Sequence, residues 1–205
     1  AVITEINRDP GVHGCLMFRP LPNREDEAAA CELLAPEKDV DCMTASSLGS
    51  VFTGHGAGYP PCTAQACIEL LDHYGVGLRG KRVTVIGRSL VIGRPVSMML
   101  QSRDATVTMC HTKTADTPAA CQNAEIIVVA AGKAGMLDER FVRPGQVVVD
   151  VGIHVNSEGR LCGDVQFDRV APIVEAITPV PAGVGSVTTT VLAKHVIEAA
   201  EKTLC

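Results

Sequence analysis

The feature that most constrains the fold is a short apolar run that stops abruptly at a glycine. Val83–Ile86 reads Val-Thr-Val-Ile, a pattern typical of a buried parallel strand, and Gly87 ends it. Gly93 follows, and Pro95 then opens a helical pattern. A strand, a glycine turn and a helix together direct backbone N–H groups and a helix dipole at a phosphate. The spacing lacks the middle glycine of G-x-G-x-x-G, so an ordinary strand–helix turn remains an alternative.

Three further apolar segments extend the same pattern along the chain. They are Ala105–Cys110, Asn123–Ala131 and Gln146–Val151, and the last two stop at Gly132 and Gly152. Apolar strands that alternate with helical or loop segments predict an α/β protein with a Rossmann-like, doubly wound parallel sheet. In such sheets the ligand lies across the carboxyl edge of the strands, where these glycines are expected.

The composition excludes several classes of protein. A length of 205 residues suits one or two domains, and 46% hydrophobic residues with only 3% aromatic predict an aliphatic core. The net charge is −5 and no basic stripe occurs, which argues against a nucleic-acid partner. No apolar run is long enough to span a bilayer and no signal peptide is evident, so we expect a cytoplasmic protein with no membrane partner.

The cysteines are numerous but are not arranged as a metal site. Nine are scattered through predicted strands and helices, among them Cys67, Cys110 and Cys121, and no C-x-x-C pair occurs. Reduced thiols are therefore expected, with neither a metal nor a disulfide framework.

Several separated motifs together resemble one family. They are PPCTAQACIELL, VIGRSLVIGRP, HTKT, DVGI, GDV and ITPVPAGVG, in this order. The chain resembles the methylenetetrahydrofolate dehydrogenase/methenyltetrahydrofolate cyclohydrolase family over nearly its whole length. The resemblance implies an NADP-dependent enzyme of one-carbon metabolism that acts on tetrahydrofolate derivatives and forms homodimers. The family also carries an upstream segment with a Tyr and a Lys that are associated with catalysis, so we expect this chain to correspond to the later part of a longer protein.

The resemblance also implies a division of the chain. Residues 1–75 correspond to part of a smaller α/β folate-binding lobe with a linker helix, 76–176 to the nucleotide lobe, and 177–205 to a pocket loop and a closing helix. Within these limits we predict a strand over Val12–Phe18 and a loop over Ser46–Pro61. The predicted helices are Glu25–Leu34, Ala64–Tyr74 and Val187–Thr203.

Cofactor-binding residues follow from the glycine turn and the resemblance. They are Gly87, Arg88, Ser89, Gly93, Arg94, His111, Thr112, Gly132 and Ile153. An NAD site usually places an acid after the second strand, but here that strand continues as Cys-His-Thr-Lys-Thr. Arg88 and the Thr112 hydroxyl suit a 2′-phosphate, which favours NADP over NAD. As an alternative, His111 and Lys113 belong to a solvated loop that is compatible with either cofactor.

The folate pocket is assigned through the resemblance. The family holds the pterin with an aspartate at the position of Asp41, and its late loop supplies Pro181, Gly183 and Gly185. A carboxylate can accept two hydrogen bonds from an aminopyrimidine edge, so the residue type fits. Judged without the resemblance, Asp39 and Asp41 are ordinary turn residues.

The chain departs from the family pattern mainly around this pocket. Phe18 stands at the family's glutamine, which tunes the catalytic lysine, and Arg19 replaces an apolar residue. Cys42 and Ala182 replace glycines, and Ser186-Val187 replaces Pro-Met. Phenylalanine cannot hydrogen-bond an amine or orient a water, so we interpret the chain as a dehydrogenase with altered or lost cyclohydrolase activity. Alternatively, Arg19 substitutes for the amide and both activities persist.

Two other classes remain open from the residues. The chain could be a non-catalytic nucleotide-binding protein of the same fold, although the intact glycine turn and the Asp-Val-Gly-Ile and Gly-Asp motifs argue against this. A short-chain dehydrogenase is disfavoured because no Tyr-x-x-x-Lys occurs and the tyrosines are Tyr59 and Tyr74.

Overall fold

The structure is a computed structural model that describes residues 1–204. The chain divides into two compact units: Ala1–Cys62 together with the segment from Thr189 onward, and Thr63–Thr188. Residues 63–75, which we assigned to the first lobe, therefore group with the second unit, as does the stretch 177–188. The functional roles of the units stay predictions.

The helices and strands are numbered in chain order. The helices are α1 (Val2–Arg8), α2 (Arg24–Leu33), α3 (Ala45–Thr53), α4 (Cys62–His73), α5 (Gly93–Gln101), α6 (Thr117–Gln122), α7 (Phe167–Val170) and α8 (Val184–Leu204). The strands are β1 (Arg82–Ile86), β2 (Thr106–Cys110), β3 (Ile126–Val129), β4 (Val147–Asp150), β5 (His154–Val155), β6 (Leu161–Cys162) and β7 (Ala176–Ile177). Short 3₁₀ turns occupy Pro36–Lys38 and Glu139–Phe141.

The second unit is built on a five-stranded sheet in the order β2-β1-β3-β4-β7. Every pairing in it is parallel, which confirms the predicted α/β class. All four residues of β3 are buried, because a parallel sheet is covered on both faces. Each large aliphatic side chain buried in this way contributes about 1.5–3 kcal/mol.

Two strand features of this unit escaped the sequence analysis. β7 forms the fifth strand, and β5 and β6 form a separate antiparallel hairpin. Each of these strands is two residues long, so none presents an apolar run that could be recognised. Only the neighbouring chain makes them strands.

The predicted strand over Val12–Phe18 is wrong. Its only strand-like pairing is an isolated bridge in which Cys15 lies opposite Asp39 and its N–H donates to Lys38 O over 2.7 Å. The apolar residues Leu16 and Phe18 are exposed, so alternation along this segment does not bury a face.

The predicted loop over Ser46–Pro61 is also wrong, because its first half is α3. Thr44 caps this helix by accepting a hydrogen bond from Ser47 N at 3.0 Å, and Gly54 ends it at φ 73°. Both are standard helix-boundary signals, but the Ser- and Gly-rich sequence between them has low helix propensity.

The first unit has a small core in which Val40, Tyr59 and Ala199 are buried together. The Tyr59 ring also packs against the His195 ring at a centroid distance of 4.9 Å. Within residues 1–204, no helix is both long and apolar enough to cross a membrane.

Candidate nucleotide and folate sites

The turn after β1 can be built only with glycine at two positions. Gly87 has φ 121°, and a Cβ there would lie 2.1 Å from Ala130 O. A Cβ on Gly93 would lie 2.3 Å from Gly87 O, so the start of α5 packs directly on the turn. These close approaches explain why both positions require glycine: strand β1, the turn and helix α5 pack too closely for a side chain.

Ser89 organises the start of α5. Its Oγ lies 3.1 Å from Ile92 N and 3.4 Å from Gly93 N, and both N–H groups donate to it. The Arg94 N–H donates to Ser89 O over 3.0 Å. The predicted cofactor residue Ser89 thus also accepts hydrogen bonds from the N-cap residue Ile92 and from the first residue of α5, whereas the side chains of Arg88 and Arg94 are exposed.

The loop after β2 is closed by its own hydrogen bonds. Thr114 Oγ1 accepts from His111 N at 2.9 Å, and His111 Nδ1 accepts from Lys113 N at 3.1 Å. Thr112 and Lys113 are exposed at the tip. The loop therefore presents a hydroxyl and a cation beyond the carboxyl end of β2, with no acid between His111 and Thr114.

The turn after β3, which contains the predicted Gly132, is held by a carboxylate that we did not assign to the site. Fully buried Asp164 accepts from the N–H groups of Ala131, Gly132 and Lys133 at 2.7, 3.0 and 2.8 Å. The Gly-Asp motif was noted only as part of the resemblance. Its spacing from this turn gives no hint of the contact, because 31 to 33 residues separate the partners.

Asp150, at the end of β4, likewise holds nearby backbone in place by accepting hydrogen bonds from N–H groups. Its carboxylate accepts from Gly152 N, Asp164 N and Val165 N, each at 3.0 Å. Burial raises the pKa of Asp150 to about 6, against the lowering effect of these hydrogen bonds. A Cβ on Gly163 would lie 1.9 Å from Asp150 Oδ2, which explains the glycine of the Gly-Asp motif.

Four predicted residues meet around one cavity of about 260 Å³ in the second unit. It is lined by Ile153, Pro181, Gly183 and Gly185, among others. A Cβ on Gly183 would lie 2.2 Å from Pro179 O.

Two departures from the family pattern lie in the loop beside this cavity. Ala182 adopts φ 72°, a conformation that favours the family's glycine. The Ser186 N–H donates to Gly183 O over 3.1 Å, a hydrogen bond that the family's proline could not make.

In the first unit, the two aspartates of the turn before α3 have different roles. Asp39 is fully buried and accepts from Met43 N at 2.9 Å and Thr44 N at 2.8 Å, so it is a turn residue. Asp41 is half-buried, and its Oδ1 accepts from Cys62 N at 2.9 Å. The predicted pterin ligand thus also caps the first residue of α4.

Of the residues that depart from the family pattern in this unit, Cys42 has a strained backbone conformation, whereas Phe18 and Arg19 are exposed. Cys42 adopts φ 58°, and burial together with the nearby Asp39 charge raises the pKa of its thiol to about 12. The Phe18 side chain is 85% exposed and Arg19 is also exposed. An exposed phenyl ring at this position offers no hydrogen bond to an amine or a water.

A buried cysteine–histidine pair also lies in the first unit, but its environment suits a structural role rather than a catalytic one. Cys62 Sγ is 3.6 Å from His195 Nδ1, and that nitrogen lies 2.9 Å from Val40 O. Burial, reinforced by the Asp41 charge, raises the pKa of the Cys62 thiol, which disfavours a nucleophilic thiolate. Across residues 1–204, the cysteines are free and no group of side chains could hold a metal ion.

Taken together, the parallel sheet, the glycine turn and the donor-lined carboxyl edge define a nucleotide-binding α/β protein. Two family profiles match the chain: the tetrahydrofolate dehydrogenase/cyclohydrolase NAD(P)-binding domain over residues 61–204, and the catalytic domain of the same family over residues 1–41. The chain belongs to the tetrahydrofolate dehydrogenase/cyclohydrolase family. The resemblance inferred from the motifs is thereby confirmed, as is the nicotinamide nucleotide class of its cofactor domain.

Individual relatives agree with this membership. The chain is 52% identical to the bifunctional protein FolD of Clostridioides difficile (strain 630) over 97% of its own length and 69% of that protein. It superposes on bifunctional FolD from Campylobacter jejuni with a TM-score of 0.94 and 37% identity, covering 98% of this chain and 71% of that one. The chain also superposes on the FolD structure from Trypanosoma brucei, a complex with NADP and an inhibitor, with a TM-score of 0.91 and 35% identity. The superposition covers 99% of this chain and 71% of that one.

Proposed function

We propose that the protein oxidises 5,10-methylenetetrahydrofolate to 5,10-methenyltetrahydrofolate with NADP as the hydride acceptor. The observation that carries this is the glycine turn, where Gly87 and Gly93 leave no room for a Cβ and so allow the tight strand–turn–helix geometry that binds phosphates in nucleotide-binding sheets. When bound, NADP would take up the hydride that leaves the one-carbon bridge. The resulting methenyl cation is stabilised by its own two nitrogens, so the chain's task is to bind and orient both partners and exclude water.

The residues around the glycine turn fit NADP, which carries a 2′-phosphate, better than NAD, which lacks it. Arg88 and Arg94 are exposed at the turn, and Thr112 is exposed after β2. A guanidinium and a hydroxyl can donate to a 2′-phosphate, whereas NAD sites usually hold the ribose with an acid. Gly132 and Ile153 would contribute backbone and apolar contacts, and the relative solved with NADP supports the same choice.

Hydrolysis of the methenyl product is proposed to be weakened. Water attack needs assisted proton transfer, which is commonly worth about 10²–10⁴-fold. The family's lysine lies in its upstream segment and is tuned by a glutamine at the position of Phe18. An exposed phenyl ring cannot do this. In the first unit Asp41 is proposed to contact the folate, and in the second unit Pro181, Gly183 and Gly185 are proposed as substrate-pocket residues. Because none of these contacts uses Phe18, substrate binding and hydride transfer are expected to remain intact.

A homodimer is proposed on the basis of the hairpin. The exposed large apolar residues of the second unit include Ile153, Val155, Leu161 and Phe167, of which three lie on or next to β5 and β6. Leu161 and Phe167 line one open cavity of about 770 Å³. Contiguous exposed apolar side chains are typical of association surfaces.

The test is spectroscopic and uses the full-length protein. With methylenetetrahydrofolate and NADP we expect reduced nucleotide and the methenyl product to form together, both followed by their near-ultraviolet absorbance. Phe18→Gln should speed the decay of the methenyl product while leaving hydride transfer within a few-fold. Nucleotide binding without turnover would replace the proposal by the non-catalytic alternative. Unaltered protein that hydrolyses its product much faster than buffer does would refute the weakened hydrolysis.

A further inference from the structure

The second unit contains a buried polar cluster that the proposed chemistry leaves unused. Its centre is Asp164, whose carboxylate is fully buried. Burying a charged carboxylate costs several kcal/mol unless it is hydrogen-bonded. Here it has four donors, of which three are the backbone N–H groups of the turn 131–133. The fourth is the imidazole of His154, whose Nε2 lies 2.7 Å from Asp164 Oδ1.

The donor set fixes the direction of each hydrogen bond. A carboxylate only accepts, so His154 Nε2 carries the proton that it shares with Oδ1. His154 belongs to β5, and its side chain is partly accessible, whereas that of Asp164 is not. The pair therefore links the hairpin to the turn after β3.

Asp150 fixes Asp164 from the other side. Its carboxylate accepts from the Asp164 and Val165 N–H groups, so the backbone that carries Asp164 cannot shift without breaking both hydrogen bonds. A Cβ on Gly152 would lie 2.5 Å from Asp164 Cγ, which shows how tightly the two segments are packed. The Asp164 carboxylate is thus held at one position at the end of β3.

The turn held by Asp164 lies directly beside the glycine turn that follows β1. The Ala130 N–H donates to Ile86 O over 2.8 Å, and Ala130 O fills the space where a Cβ of Gly87 would be. Residues 131–133 follow directly, and Gly132 adopts φ 67° there. The strand ends are in register, since Ile86 pairs with Val129 and Val129 with Asp150.

We propose that Asp164 and His154 are positioning residues for the nicotinamide nucleotide, acting by holding the turn 131–133 in its binding conformation at the carboxyl edge of the sheet. This inference rests on the proposed function. His154 does not touch the ligand in this scheme. It orients Asp164, and Asp164 orients the backbone of the turn.

The test compares three single variants of the full-length protein. His154→Leu removes the donor, and His154→Gln keeps an N–H donor near the position of Nε2. His73→Leu is the matched control, because His73 is an exposed histidine at the end of α4 in the same unit. NADP affinity is measured by calorimetry, thermal stability by scanning calorimetry, and amide exchange of residues 131–133 by mass spectrometry or NMR.

We expect His154→Leu to raise the Kd and KM for NADP by about 10- to 150-fold, the range for losing one hydrogen bond to a charged group that positions a site. The kcat and the KM for methylenetetrahydrofolate should stay within about two-fold of the wild-type values. A rise in the KM for NADP at constant kcat marks the loss of a binding interaction rather than of a step in the chemistry. Exchange of the turn amides should quicken. His154→Gln should restore NADP affinity to within about three-fold, and His73→Leu should change nothing.

The outcomes separate the two proposals. If wild-type protein binds NADP and His154→Leu binds it equally well, the positioning role is overturned and the proposed function stands. Faster exchange or lower thermal stability without loss of affinity would overturn it too, because the pair would then serve only the fold. If wild-type protein does not bind NADP, the proposed function fails, and the positioning role with it.

Discussion

Two residues of this chain occupy backbone conformations that favour glycine. Cys42 and Ala182 adopt φ 58° and 72°, and both stand where the family pattern has glycine. A side chain in the left-handed region costs roughly 1 kcal/mol relative to glycine. At Cys42 the buried thiol offsets this cost by packing, whereas Ala182 is exposed and has little to offset it.

Ala182→Gly should therefore stabilise the protein by about 0.5–1 kcal/mol, because relief of the positive φ outweighs the added freedom of the unfolded chain. Urea unfolding of the two proteins measures the difference. Ala119→Gly, at an exposed position inside α6, is the control and should destabilise by a similar amount. Equal destabilisation at both positions would show that Ala182 carries no strain.

Arg88 is the residue on which the proposed preference for NADP over NAD depends. Arg88→Ala should weaken NADP binding by about 1.5–3 kcal/mol, the value of a charged hydrogen bond, and should leave NAD binding nearly unchanged. Calorimetric titration with both nucleotides measures this. The control is Arg79→Ala, a solvent-exposed arginine of the same unit whose nearest carboxylate, Asp104, is 3.6 Å away. Parallel losses for NADP and NAD would remove the basis for a 2′-phosphate contact.

At the scale of elements, the carboxyl ends of the strands are joined by carboxylates rather than by apolar packing alone. Asp150 ends β4, and Asp164 follows β6 and reaches the turn after β3. Buried polar networks of this kind specify one arrangement, because every alternative leaves a donor or a charge unpaired. The hairpin β5–β6 is attached to the sheet through this network.

The raised pKa of Asp150 predicts how this network responds to pH. Its folded value is about 6 against an ordinary 3.8, so the folded protein binds the proton more readily than the unfolded chain does. The stabilising contribution of this proton is complete below about pH 4 and is lost as the pH rises through 6; it amounts to up to about 3 kcal/mol.

Asp150→Asn cannot titrate, so the free energy of unfolding of wild type minus that of the variant should fall between about pH 4 and 6. Urea unfolding across this interval measures the difference. The variant itself is expected to be less stable at every pH, since an amide accepts fewer of the three backbone hydrogen bonds. A difference that rises over the same interval would contradict the raised pKa.

At the scale of the whole molecule, the exposed apolar residues of the hairpin bear on assembly. Val155 is 68% exposed on β5, and Leu161 is exposed on β6. A two-stranded hairpin has unpaired edges, and such edges readily pair with a second chain.

Leu161→Lys should therefore convert the proposed dimer to a monomer, because a charge in the centre of an apolar contact must be desolvated. Light scattering measures the mass. Glu175→Lys introduces the same side chain at an exposed position before β7 and should leave the dimer intact. A wild-type protein that is active as a strict monomer would contradict the proposal outright.

The four long strands could be predicted from the amino-acid sequence, because each is an apolar run too short for a helix and bounded by turn residues. The glycine turn could be predicted as well, since strand, glycine and helix signals are all local. Family membership followed from separated motifs in order, and the comparisons confirm it. Within the candidate site, Ile153, Pro181, Gly183 and Gly185 were predicted from motifs, and they line one cavity.

The features that could not be predicted from the sequence depend on partners far away in the chain. β7 and the hairpin are strands because of their neighbours, and α3 depends on its caps more than on its propensity. The distinction between Asp39 and Asp41 and the role of Asp164 rest on hydrogen bonds that no local spacing records. A sequence pattern reports burial and turns, whereas a buried carboxylate is defined by which donors the folded chain brings to it.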